Sequence, residues 1–220
     1  MRITVIGATG GVGRQLVAQA VAAGHVLTAV VRDPARLAPD VRAVRADLAE
    51  PSGRALEDAV LGADAVLSCL GARSSQDIGV ACRGTSALIG AMEASGTRRL
   101  VVISAAPVAT VPSPARPDPL RDPGDSFVVA HLLGPVIKRV FRRAYDDLAR
   151  MEDIVRVSSL DWTILRPPRL TDRPDPTAYR LAYGHNVKGG FAVSRPAVAH
   201  AMLTLIADPA ALRQTVGIAK

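Results

Sequence analysis

Near its N-terminus the chain runs Gly7-Ala8-Thr9-Gly10-Gly11-Val12-Gly13, directly after the β-branched stretch 3–6 and directly before Leu16, Val17, Ala20 and Val21 at helical spacing. Strand, glycine turn and helix in that order open a β-α-β unit, which commits the chain to parallel strand pairing. Gly7 permits the tight turn, Gly10 lets the backbone approach a pyrophosphate, and Gly13 lets helix and strand pack closely. The helix N-terminus adds free N–H groups and the positive end of its dipole. Gly7, Thr9, Gly10, Gly11, Val12 and Gly13 are therefore read as a dinucleotide cradle, against the plainer alternative of a tight structural turn.

The cycle then repeats. Strand 26–31 is followed by a polar helix at 53–61, strand 65–67, helix 79–94 and strand 100–103. Strands alternating with helices predict an α/β fold of the Rossmann type, a doubly wound parallel sheet covered on both faces. After Ser104 the prolines at 107, 112, 114, 117, 119 and 123 exclude a helix or a central strand, so a loop is expected. A helix resumes near Pro135 and runs to about Val157, then a strand at 162–165 and a helix at about 196–206. The 220 residues suit one core, and the expectation is a single domain over 1–220 with 106–135 as a lid-like, substrate-side insertion.

Composition narrows the function. With 49% hydrophobic and 21% charged residues the chain is not a disordered one, and 3% aromatic residues leave few stacking platforms for single-stranded nucleic acid. The formal charge of +7 comes from 24 Arg and 3 Lys against 20 acids, and favours an anionic small-molecule partner. The basic run Lys138-Arg139-x-x-Arg142-Arg143 reads first as a solvated helix face, then as an attractor for NADPH or an acidic substrate; no nucleic acid is expected. Cys69 and Cys82 lie thirteen positions apart with no Cys-x-x-Cys, so neither a disulfide nor a metal site is expected, and a reducing cytoplasm fits. No apolar run approaches the roughly 20 residues of a membrane span, and no export signal or anchor is expected.

At the end of the second strand, where a carboxylate usually takes the ribose 2′-hydroxyl, the order is Arg32-Asp33-Pro34. A guanidinium there binds a 2′-phosphate that a carboxylate would repel, so NADPH is favoured over NADH. Asp33 is expected to cap the short turn 34–37, and Arg14 either assists or is a solvated helix residue. Asp47 and Leu48 flank the adenine or form a plain loop. Cys69, Leu70 and Gly71, at the carboxyl end of the fourth strand, are expected to touch the nicotinamide half through backbone, with Cys69 a small buried residue rather than a nucleophile.

Ser104 ends the fifth strand and is the leading catalytic candidate, its alternative being a strand-end serine satisfied by backbone. The Tyr-x-x-x-Lys pair of classical short-chain dehydrogenases is absent: the tyrosines are 145, 179 and 183 and the lysines 138, 188 and 220. Tyr145, Arg169 or solvent remain as the source of a proton. His25, His185 and His200 receive no role.

The succession GATGGVG, VVRDPARL, ADL, SCLGA, ISAA, DDLARME, LDWTILRPPRLTD and VSRPAVA resembles the atypical NAD(P)H-binding short-chain dehydrogenases, and within them the flavin reductase (biliverdin-IXβ reductase) branch, over nearly the whole chain. The resemblance implies an NADPH site, hydride transfer to flavins or linear tetrapyrroles, and Ser104 with Pro167 and Pro168 lining the nicotinamide end. Two positions depart from that branch, Arg169 and Leu148 standing where it has histidines. The stretch between Ser104 and Asp146 is also longer by about a score of residues, and its apolar part, 127–137 with His131, suits a lid. The expected activity is an NADPH-dependent reductase acting on a conjugated small molecule such as a flavin or quinone, the flavin being substrate rather than prosthetic group, in a monomer or small homo-oligomer. The rival is a non-catalytic redox sensor of the NmrA-like type; an epimerase or lyase is a weaker third.

Overall fold

In the computed structural model, which describes residues 1–37, 41–48, 53–72, 74–124 and 140–220, the apolar run at 3–6 becomes the strand β1 (Arg2–Ile6). It lies between β2 (Val26–Val31) and β4 (Ala65–Ser68), with Val5 level with Ala29 on one side and Leu67 on the other. β3 (Arg42–Arg45) flanks β2, and β5 (Arg99–Ile103), β6 (Asp161–Arg166) and β10 (Gln214–Ala219) continue beyond β4. These seven are parallel. β8 (Arg180–Tyr183) closes that edge antiparallel to β10, giving the order β3-β2-β1-β4-β5-β6-β10-β8. A separate parallel pair joins β7 (Arg169–Thr171) to β9 (Ala192–Ser194).

Alternation along the strands sends side chains to two cores. Ile3 and Val5 face α1 (Gly11–Ala22) and α5 (Arg195–Ile206), where Leu16 and Ala20 share a core with Ala197, Val198 and Ala201. Ile6 faces the other layer, built from α2 (Gly53–Val60), α3 (Val80–Ser95) and α4 (Arg142–Val157), with Leu56, Leu88, Met92, Met151 and Val155 inside. Helices on both faces of a mainly parallel sheet are the expected doubly wound architecture.

Several features were not legible beforehand, among them the short strands β7, β8 and β9. β10 escapes notice because Gly217 interrupts it, where a Cβ would stand 2.4 Å from the His185 carbonyl. The proline-rich stretch after Ser104 is partly ordered. Residues Ala106–Thr110 form a 3-10 turn with Pro107 in its first turn, and Ser113 pairs with Arg116. Asp153 of α4 accepts from Ser113 Oγ at 3.0 Å and Ala115 N at 3.1 Å, and buried Asp122 accepts from Asn186 N at 3.0 Å. The insertion is thus fastened to the body as far as Gly124. The lid expected over 127–137, with His131, and the cations Lys138 and Arg139 lie outside the described residues. Arg142 and Arg143 are exposed, Arg142 pairing with Asp146 one turn on, as a solvated helix face requires.

Candidate active site

Because the parallel strands run one way, their carboxyl ends share one edge, and the strand order reverses between β1 and β4. The glycine turn follows β1, Arg32 follows β2, Asp47 lies just past β3, Cys69 follows β4, Ser104 follows β5 and Pro167 follows β6. One sheet edge gathers nearly all the expected site.

The turn is built so that only glycine fits. Gly7 has φ +75°, and a Cβ there would lie 2.9 Å from the Cys69 carbonyl; one at Gly13 would lie 2.2 Å from the Gly7 carbonyl. The Gly10 N–H donates to Gly7 O at 2.9 Å and the turn enters α1, whose first N–H groups have no carbonyl preceding them in the helix. Val12 turns its side chain into the core, leaving its backbone to the loop, while Thr9 is half-buried and its carbonyl accepts from Arg14. These residues fit a bound pyrophosphate.

Arg32 is 60% exposed and its Nη1 stands 3.5 Å from Asp77. Asp33 caps the following 3-10 turn, accepting from the Ala35 N–H at 3.1 Å. Asp47 is exposed, whereas Leu48 is buried beside Leu70 at Gly84 of α3. Gly71 faces open space. Cys69 is half-buried against the core, its sulfur 3.9 Å from that of Met202, and desolvation of the thiol pushes it up to about 12. It is a packing residue, with its backbone on the glycine turn.

Ser104 donates its hydroxyl to Glu152 Oε1 at 2.7 Å. Glu152, fully buried on α4, also accepts from Arg166 Nε at 2.8 Å, Arg166 Nη2 at 2.5 Å and Arg156 Nη2 at 2.7 Å, with Arg116 at 3.5 Å. Burial, the largest influence, pushes the carboxyl up, but the bond and charge of Arg166, the charge of Arg156 and the Ser104 hydroxyl outweigh it and bring it to about 2. The carboxylate is ionised at neutral pH. Beside it, the Ala106 N–H donates to Pro167 O at 2.9 Å and the Ser104 N–H to Leu165 O at 2.8 Å, tying the ends of β5 and β6 together. Pro167 is buried and Pro168 half-buried.

Tyr145 and Arg169 stand apart from this cluster. Tyr145 packs on Val108, Val111 and Ala149, burial raises its hydroxyl pKa, and it lines an open hollow of about 860 Å³ with Thr110, Pro117, Arg142 and Arg150. Neither Ser104 nor the glycine turn contributes to that wall. Arg169 is exposed at the start of β7, level with Ala192.

Several polar residues were missed by sequence reasoning. Glu152 sits between Leu148 and Val155 on the apolar face of α4, and an acid on such a face is the signal that was available. Asp147 takes the N–H groups of Gly79, Ala81 and Cys82 at 3.0–3.2 Å, capping α3 from another helix. Arg195 reaches from α5 to Gly11, a contact no local pattern announces.

The profile of a family described as NAD(P)H-binding matches residues 7–209. An uncharacterized protein of Mycobacterium tuberculosis is 34% identical over 105 residues, covering 47% of this chain and 12% of that protein, so the chain spans about an eighth of the curated relative's length. Among solved structures, ChuY of Escherichia coli O157:H7, described as an anaerobillin reductase, superposes with a TM-score of 0.77 at 22% identity, covering 100% of this chain and 97% of that one. A short-chain dehydrogenase/reductase of Veillonella parvula in complex with NADP does so with a TM-score of 0.72 at 22% identity, covering 100% and 94%. These two likenesses are of fold. The glycine cradle, the sheet edge and the family profile agree, and the chain belongs to the NAD(P)H-binding family.

Proposed function

We propose that the chain is an NADPH-dependent reductase that delivers a hydride to a conjugated acceptor such as a flavin, a quinone or a related small molecule. The observation that carries this reading is the bond from Ser104 to Glu152. An ionised carboxylate holds the one proton that Ser104 has to offer. Reducing a simple ketone leaves an alkoxide that needs an acid beside it. A conjugated ring takes a hydride on an electron-poor atom and is protonated by water afterwards, so it asks for no such acid.

The other residues take roles consistent with this. Gly7, Thr9 and Gly10 shape the turn around the pyrophosphate and Gly11, Val12 and Gly13 offer it the first N–H groups of α1, and the exposed guanidinium of Arg32 leaves its solvent-screened Asp77 partner for the 2′-phosphate. Asp47 lies toward the adenine. Cys69, Leu70, Gly71, Pro167 and Pro168 bound the nicotinamide half, where Ser104, its proton committed, accepts from the carboxamide N–H₂. When bound, NADPH supplies the reducing hydride; the chain orients it and excludes water. Tyr145 and Arg169 serve the acceptor side. The free thiols of Cys69 and Cys82 suit a reducing, cytoplasmic setting, and no described helix is long and apolar enough to cross a membrane.

The test is to measure uptake of NADPH and NADH by calorimetry, then to follow the reduced-nicotinamide absorbance with FMN, FAD or menadione. The proposal expects tighter uptake of NADPH and its oxidation, both weakened by Arg32→Ala. Tight NADPH uptake with no oxidation by any of the three would make the chain a sensor instead.

A further inference from the structure

Arg195 opens α5 and lies back across the glycine turn. Its backbone is fixed: Ser194 caps the helix, accepting from the Ala197 N–H at 3.2 Å, Pro196 sets the first turn, and Gln19 of α1 donates to Pro196 O at 3.0 Å. α1 and α5 also share one core. The Arg195 Nη1 donates to Asp172 at 2.7 Å, while its stem covers Gly11, where a Cβ would stand 2.8 Å from Cδ and 2.7 Å from Nε. The space that a side chain at position 11 would fill is occupied by Arg195.

That position is an electrostatic conflict, because a guanidinium rests against the positive end of a helix. Asp172 relieves it only weakly: its side chain is 84% exposed against 30% for Arg195, and such solvent-screened pairs contribute little. A cation held at a helix N-terminus by a fixed backbone, with a loose counter-ion, is arranged to receive an anion. Building on the NADPH reading, we propose that Arg195 is a ligand of the dinucleotide pyrophosphate, exchanging the Asp172 carboxylate for a phosphate oxygen at the start of α1, and that Gly11 is bare to admit it. A guanidinium is thereby assigned to each end of the phosphorylated half, Arg32 to the 2′-phosphate and Arg195 to the pyrophosphate.

The test is calorimetry with NADP⁺ and with adenosine 2′-monophosphate, which lacks the pyrophosphate. Arg195→Ala is expected to weaken NADP⁺ binding roughly ten- to a hundredfold, the worth of a charge-assisted bond, and to leave the 2′-monophosphate unaffected. Arg195→Lys restores part of the loss, and Asp172→Asn binds NADP⁺ at least as tightly as the parent. Arg32→Ala weakens both ligands. Unchanged NADP⁺ binding by Arg195→Ala, or an equal loss for both ligands, overturns the assignment of Arg195 alone. Absence of NADP⁺ uptake by the parent chain overturns the cofactor reading and this assignment with it.

Discussion

Ser104 and Glu152, 48 residues apart in the chain, are joined inside the protein by a 2.7 Å hydrogen bond whose acceptor is also gripped by Arg166 and Arg156. The bond sets the direction of the serine's chemistry. With its hydrogen on the Glu152 side, the Ser104 oxygen keeps only acceptor capacity for any further partner. The sequence alone leaves a strand-end serine free to be donor or acceptor.

Glu152→Gln keeps the shape of the side chain but leaves the guanidiniums of Arg116, Arg156 and Arg166 without their shared counter-charge. Uncompensated buried charge of this kind costs about 3–5 kcal/mol. Thermal unfolding of the variant is expected to fall by roughly 10 °C; an unchanged midpoint would show that the carboxylate contributes nothing.

The same carboxylate gives a pH signature. Its folded pKa is depressed from 4.5 to about 2, so its contribution to stability is complete above about pH 4.5 and disappears as pH falls from there toward 2. Urea unfolding followed across that window should show a stability loss in the parent that is reduced in Glu152→Gln.

Ser104→Ala removes an acceptor rather than an acid. It is expected to lower kcat/KM for a flavin or quinone by roughly tenfold, the loss of one positioning hydrogen bond, with the pH–rate profile keeping its shape. A profile that loses one limb in the variant would instead make Ser104 a titrating proton donor.

Arg32→Ala should reduce the NADPH-to-NADH ratio of kcat/KM by roughly tenfold or more, since a bidentate guanidinium–phosphate bond is lost. Asp77→Asn removes the competing carboxylate, 3.5 Å from Arg32, and should raise that ratio. A ratio unmoved by both substitutions would exclude Arg32 from the 2′-phosphate site.

Much of the fold was legible because its signals are local. The glycine spacing at 7, 10 and 13, the β-branched strands and the helical periodicities each sit within one element, and strand-helix alternation then dictates parallel pairing. Arg32, Cys69, Ser104 and Pro167 could be expected at one edge because each follows directly on a strand, and parallel strands bring their carboxyl ends together. The Glu152 cluster was not legible as a whole, since Ser104, Arg116, Arg166 and the Glu152–Arg156 pair of α4 come from separate parts of the chain and meet only when β5, β6, α4 and the insertion are assembled. Arg195 was hidden for the same reason: its contact with Gly11 depends on α1 and α5 packing side by side. Leu48, expected to flank the adenine or form a plain loop, turns its side chain into the core by its own hydrophobicity.

The most direct test of the reductase reading compares acceptors that differ in their need for an acid. NADPH oxidation is followed with menadione or FMN and, in parallel, with a simple aliphatic ketone. The structure's committed serine proton predicts turnover with the conjugated rings and none above background with the ketone. A ketone reduced as fast as menadione, or no oxidation with any acceptor while NADPH is bound, would contradict it.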